Sequence, residues 1–376
     1  MSSLVPAIDP DGLFEYSVVF TDRSLNHMSA EFQQVMRDIS ATLRQVYNAA
    51  GVALVPGGGT YGMEAVARQF ARDQRCMVLR NGWFSYRWSQ IFEATELPAE
   101  EIVLKARQTG EGDQAPFAPA PIDEVVAAIH TQKPAVVFAP HVETASGILL
   151  PDDYLRAVAD AVHAVGGLFV LDCVASGALW VDMRACGVDV LISAPQKGWS
   201  ASPSCALVMF SDRALERLEQ TTSNSFACDL KKWQQIMRAY EEGGHAYHAT
   251  LPTDALKAFR DTMLETGKIG FDKVMQAQQA LGKAVRALLE EKGIASVAAP
   301  GFQAPGVVVS YTRDDGVHSG KAFAAQGLQT ARCVPLMCDE PARFKTFRIG
   351  LFGLDKLQDV EGAVARLRLA LETISA

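Results

Sequence analysis

No cysteine pair at redox or metal-ligand spacing occurs in the 376 residues; seven cysteines are scattered with no C-x-x-C. That excludes a disulfide framework and a zinc ribbon. An odd, dispersed set is expected of reduced thiols in a cytoplasmic protein. Basic runs are also missing. Lys and Arg total 35 against 43 Asp and Glu, a net charge of −8, which argues against a nucleic-acid partner. No apolar stretch has membrane-spanning length, so no membrane partner is expected, and MSSLVPAIDPDG lacks the basic and apolar regions of a secretory signal. The closing TISA carries no peroxisomal address. Internal repeats, low-complexity tracts and a metal-ligand cluster are absent as well. The remaining composition, 49% apolar and 21% charged, is that of an ordinary soluble protein. Its length suits one large and one small domain, or two to three of ordinary size.

What is present is an alternation of short apolar runs and amphipathic stretches. Ser24 to Asn48 reads as a helix, with Phe32, Val35, Met36, Ile39, Leu43 and Val46 repeating at three and four. The strand Val52–Pro56 closes on GGGT, whose Gly58, Gly59 and Thr60 lead into a helix marked by Met63, Val66, Ala67 and Phe70. Glycines free a backbone to approach an anion, and a helix start offers unpaired N–H groups. Thr60 can cap that helix or donate to a phosphate. No GK[ST] follows and no G-x-G-x-x-G opens the helix, which excludes the P-loop and the dinucleotide fingerprint. Strands Cys76–Leu79, Ala135–Ala139, Leu168–Leu171 and Val188–Ile192 come next, with helices over 122–131 and 152–165 between them. The pattern predicts an α/β fold with a mainly parallel sheet wrapped on both faces, its ligand beyond the carboxyl ends of the strands. Gly58, Thr60, Phe84, Thr144, Asp172, Gln196 and Lys197 all fall at such ends.

The segment Leu168 to Gly198 carries the chemistry. Its first strand ends on Asp172, with the apolar Val174 and Ala175 after it; its second ends on Ser193, Gln196 and Lys197. An Asp after a strand also serves as a turn or cap, and a loop Lys is commonly solvated. The ordered pair, however, is what an aldehyde cofactor needs: a Lys to form an imine and an Asp to keep a ring nitrogen protonated. Pro195 and Trp199 bracket Lys197 in apolar surroundings, where desolvation favours the neutral amine. From about residue 265 the chain changes character. A long amphipathic stretch through Val274, Ala277, Leu281, Val285 and Leu288 ends at Gly293. Strands Val307–Tyr311 and Thr346–Leu351 follow, with helices near 320–327 and 360–371. The expected division is an N-terminal segment, 1–23, a large domain, 24–265, and a small α+β domain, 266–376. Residues 1–20 are expected to wrap over another part of the molecule or a partner.

LDCVAS ahead of SAPQKGW, together with PHVETASG and FRIGLFG, resembles the class V aminotransferases, which are pyridoxal-phosphate (PLP) enzymes. The alanine–glyoxylate and serine–pyruvate branch is the nearest resemblance, and it runs from about residue 24 onward. It implies PLP fold type I, with a mainly parallel seven-stranded sheet in the large domain. It further implies transfer of an amino group from a small L-amino acid, alanine or serine, to a 2-oxo acid such as glyoxylate or pyruvate. By that resemblance Lys197 carries the cofactor and shuttles protons, and Asp172 holds the ring nitrogen. Gly58, Gly59, Thr60 and Gln196 would cradle the phosphate, Thr144 would reach the phenolic oxygen, and Val174 would line the ring. Phe84, two residues beyond Asn-Gly, would stack on that ring, with His141 as an alternative ring contact. Tyr247 and Thr250 would reach the phosphate of a neighbouring subunit, which makes a homodimer with shared sites. Arg348 would fork onto the substrate carboxylate, and Asn26, in SLNHMS, would lie near the substrate. That segment replaces the family's Gly-Pro-Gly-Pro run. No extra basic residue stands out for a phosphonate or a second carboxylate, with Arg23, Arg87 and Arg332 left open. Two rivals remain: a PLP lyase of the desulfurase type, using Cys333 or Cys338, and a binding module that keeps the fold. CVPLMCDEP lacks the small Ser- and Gly-rich loop of the first, and retention of Lys197 and Asp172 speaks against the second.

Overall fold

A computed structural model describes residues 13–374. Part of the N-terminal segment expected to wrap, residues 1–12, lies outside the described residues. The chain opens with α1 (Ala30–Tyr47), β1 (Gly51–Pro56), α2 (Gly59–Phe70), β2 (Arg75–Arg80), α3 (Trp83–Thr95) and β3 (Glu100–Lys105). A two-residue hairpin, β4 (Arg107–Gln108) and β5 (Phe117–Ala118), precedes α4 (Ile122–Gln132), β6 (Val136–Pro140) and α5 (Asp152–Ala164). Then come β7 (Leu168–Asp172), α6 (Met183–Cys186), β8 (Val190–Ser193), β9 (Cys205–Phe210), α7 (Asp212–Gln220), α8 (Leu230–Glu241) and α9 (Thr253–Ile269).

Seven strands form one sheet in the order β1-β9-β8-β7-β6-β2-β3. Strands β3, β2, β6, β7 and β8 pair in parallel, whereas β9 runs antiparallel to both β8 and β1. The register sets Pro140 opposite Asp172 and Asp172 opposite Ile192, which aligns the carboxyl ends of the three central strands. β6, β7, β8 and β9 are buried at every position, as expected of a sheet covered by helices on both faces.

A second core gathers around α10 (Phe271–Glu291), β10 (Val307–Tyr311), the short turns α11 (Asp315–His318) and α12 (Lys321–Ala324), and β11 (Thr346–Gly350). α13 (Leu354–Leu357) and α14 (Val360–Ile374) complete it. A third apolar cluster, including Val142, Ile148, Val309 and Leu336, fills the space between the sheet and β10.

Three differences from the sequence reading have local causes. α1 starts at Ala30 rather than near Ser24, because Asn26 Oδ1 accepts the Met28 N–H and turns the chain before Ser29 caps the helix. Residues 83–95, 212–220 and 230–241 are helices, and 100–105 an edge strand, that the sequence pattern does not announce. Trp88, Ile91 and Phe92 face inward on α3, and Leu230, Trp233, Met237 and Tyr240 do so on α8. The helix expected over 320–327 is reduced to the single turn α12. Among the described residues no helix is long and apolar enough to cross a membrane, and no cluster of His, Cys, Asp and Glu could hold a metal ion.

Candidate active site

The strand ends build one cleft. At its edge the chain leaves β1 through Gly57, whose φ of +121° suits glycine, and enters α2 with Gly58 at the N-cap. A Cβ at Gly59 would come within 2.7 Å of Val174 Cγ2, so only glycine lets the start of α2 approach the end of β7 this closely. Thr60, Phe84, Thr144, Asp172, Val174, Gln196 and Lys197 line the cleft together with Gly59, Met63, Arg87, Val142 and Ala175. These residues lie together in the fold, and Gly58 stands next to them as the cap of α2. Lys197 Nζ lies 5.9 Å from the Phe84 ring centroid and 5.6 Å from that of Phe352, while the Arg348 guanidinium lies 5.5 Å from Phe84.

Electrostatics set the two central groups against their usual states. Burial raises the Asp172 carboxyl to about 6, against the single Val174 N–H that stabilises its charge at 2.9 Å. Burial lowers the Lys197 amine, an effect opposed by Asp172 and reinforced by Arg348 and Arg87. A lysine that gives up its proton more readily is a better nucleophile toward a carbonyl carbon and a better base.

The site fits an anionic, hydrogen-bonding aromatic ligand. Gln196 Oε1 and the Nε and Nη1 of Arg348 are buried without any hydrogen-bond partner, a costly arrangement unless a ligand supplies one. Arg348 is braced through Nη2 to the carbonyl of Arg332 at 3.0 Å, leaving the N–H groups of Nε and Nη1 available.

Other expected residues lie elsewhere. Asn26 does not line the cleft; its amide is spent on Glu15 at 2.7 Å and Ser17 at 3.1 Å. His141 is buried outside the cleft lining, its Nδ1 2.7 Å from Ser176 Oγ, and burial lowers it to about 4; the aromatic side chain that lines the cleft is Phe84. Tyr247 and Thr250 sit 3.2 Å apart on an exposed loop, outside this chain's cleft. Cys338 is buried, its thiol donating to the carbonyl of Arg80 at 3.3 Å and raised by burial to about 12; Cys333 is also buried and raised.

One residue of the quoted motif has a place that sequence alone left blank. Glu143 is fully buried, and its carboxylate accepts the N–H groups of Phe84 at 3.1 Å, Ser85 at 2.9 Å and Ala145 at 2.9 Å. It anchors the start of α3, and so the ring of Phe84. A Glu two residues after the strand-end His was the available signal.

A doubly covered sheet whose aligned strand ends bring a half-buried lysine into one cleft with a buried aspartate has the architecture of the PLP-dependent transferases of fold type I. The match extends to sequence, since the family model for class-V aminotransferases covers residues 13–323. The chain belongs to that family. It is 27% identical to the 2-aminoethylphosphonate–pyruvate transaminase 2 of Paraburkholderia xenovorans (strain LB400), over 94% of this chain and 92% of that protein. It is likewise 27% identical to the soluble hydrogenase small subunit of Synechococcus sp. (strain PCC 6716), over 92% and 87%. Among solved structures, the alanine–glyoxylate aminotransferase of Nostoc sp. superposes with a TM-score of 0.77 at 22% identity, covering 92% of this chain and 89% of that one. The protein is thus an aminotransferase, whose substrates are an amino acid and a 2-oxo acid.

Proposed function

We infer that the protein passes the amino group of a small L-amino acid, alanine or serine, to glyoxylate or pyruvate, with PLP held at Lys197. The observation that carries this reading is a half-buried lysine and a buried aspartate in one cleft, with the unpartnered Nε and Nη1 of Arg348 close by at the Phe84 ring. The names of related proteins support the acceptor, since pyruvate and glyoxylate appear in them. When bound, PLP supplies an aldehyde for amines and a protonated ring that withdraws electrons. Asp172 would pair with the ring N–H⁺, which offsets the cost of burying its charge. Gly58, Gly59, Thr60 and Gln196 would hold the phosphate, Thr144 the phenolic oxygen, and Phe84 and Val174 the apolar faces. Arg348 would fork onto the α-carboxylate through its free Nε and Nη1, orienting the Cα–H bond. Lys197 Nζ would then take the Cα proton and give it back. Tyr247 and Thr250 are read as donors to a partner's phosphate, which makes the protein a homodimer.

The lyase reading is disfavoured because neither Cys338 nor Cys333 is an exposed, low-pKa thiol. The test is the visible spectrum of the protein with PLP. The band of the lysine-linked cofactor should disappear with L-alanine or L-serine, return with glyoxylate or pyruvate, and be missing in Lys197→Ala. A Lys197→Ala protein with normal turnover would overturn the assignment. Mixing that variant with the Tyr247→Phe, Thr250→Ala double variant should restore activity if the loop acts across the dimer, and leave it absent if it acts within one chain.

A further inference from the structure

The phosphate cradle described above has no charged member. Gly58, Gly59, Thr60 and Gln196 offer backbone, hydroxyl and amide groups, whereas a phosphate ester carries close to two negative charges near neutral pH. The N-terminus of α2 contributes only a fraction of a charge. One cation stands at the same place. Arg87 is three residues after Phe84 on α3, which puts both side chains on one face of the helix. Its Nη1 donates to Thr60 Oγ1 at 2.9 Å, in the first turn of α2, and its guanidinium lies 5.1 Å from the Phe84 ring centroid.

No carboxylate neutralises it: among the described residues Arg87 takes part in no ion pair, unlike Arg44, Arg68, Arg75, Arg107, Arg260 and Arg368. Instead it is held at the positive end of α2, in a cleft shared with Lys197 and near Arg348. Both arginines push the lysine toward its neutral form. Two guanidiniums close enough to depress the same lysine repel one another until an anion enters. With one N–H given to Thr60, four guanidinium donors remain for that anion.

We propose that Arg87 is the charged ligand of the cofactor phosphate, aimed by its hydrogen bond to Thr60 and its stacking on Phe84. This rests on the reading of the cleft as a PLP site. The competing role, recognition of a second acidic group on the amino donor, is separated from it by experiment.

The apoprotein is titrated with PLP, with pyridoxal, which lacks the phosphate, and with inorganic phosphate as a competitor. In Arg87→Gln the PLP affinity should fall roughly ten- to hundredfold, the size expected for a charge-assisted pair. Pyridoxal affinity should stay unchanged, and phosphate should compete less well. Arg87→Lys should fall between, keeping the charge but losing the planar fork. An unchanged PLP-to-pyridoxal preference overturns the proposal; if the KM of a dicarboxylic or phosphonate donor rises instead, Arg87 belongs to the substrate. An equal loss for both ligands would show a damaged site and also overturn it. If the wild-type apoprotein binds no PLP at all, it is the cofactor reading that fails.

Discussion

Replacing Asp172 by Asn should make the cofactor-free protein more stable while weakening its hold on PLP. The carboxyl is almost wholly buried and receives the Val174 N–H at 2.9 Å, and burial raises it from 3.8 to about 6. Between those values the folded protein keeps a proton that the unfolded chain has lost. Stability contributed by this group therefore falls as pH rises through the window, and the full penalty is present near neutrality. A displacement of that size corresponds to on the order of 3 kcal/mol. Asparagine carries no proton to lose, so Asp172→Asn recovers up to that amount, roughly 4 °C in melting temperature for a chain this long. The assay is thermal unfolding of stripped protein, wild type and variant, from about pH 4 to about pH 8, where titrations common to both cancel in the difference. The advantage of the variant should be largest above about pH 6 and vanish near pH 4. With PLP present the order should reverse, because the ring N–H⁺ loses its anionic partner. A variant no more stable than wild type above pH 6, or a difference independent of pH, would refute the burial argument.

Asp172 and Lys197 were legible because a strand buried on both faces has no tolerance for a stray charge, so a polar residue closing an apolar run marks the sheet's open end. The buried strands of the sheet were legible for the same reason; the edge strand β3, which has no fully buried position, was not. Helices α7 and α8 were not, since their exposed faces dominate the composition and the inward residues Leu230, Trp233, Met237 and Tyr240 stand among lysines and glutamines. Asn26 illustrates the opposite failure. Its position at a helix mouth is visible, but nothing in the sequence tells that Glu15 and Ser17 fold back to consume its amide. His141 could be placed at a strand end, yet the direction of its ring depends on Ser176, across the turn after β7. Arg87 and Glu143 act on residues distant in sequence, Thr60 and Phe84 respectively, so their partners exist only once the fold brings α2, α3 and the end of β6 together.

Cys338→Ala should retain transaminase turnover within about twofold, because a thiol spent on a backbone carbonyl and raised to about 12 contributes packing rather than chemistry. Sulfide release from cysteine that depends on Cys338 would contradict this. Glu143→Gln should be far more damaging, despite its distance from the reacting atoms. One carboxylate oxygen accepts from Phe84 and Ala145 and the other from Ser85, so whichever way a glutamine amide turns, its NH₂ faces a backbone N–H. The variant loses a charge-assisted bond and leaves a buried donor unpaired, a cost of about 3 kcal/mol before relaxation. Because the N–H groups of Phe84 and Ser85 lie in the first turn of α3, the cost appears as displacement of Phe84 and Arg87 as well as lost stability. The expected result is a lower melting temperature of the loaded enzyme together with weaker binding of both PLP and pyridoxal. This separates Glu143 from Arg87, whose removal should spare pyridoxal. A Glu143→Gln protein that melts and binds PLP like wild type would show that α3 is held by its packing alone.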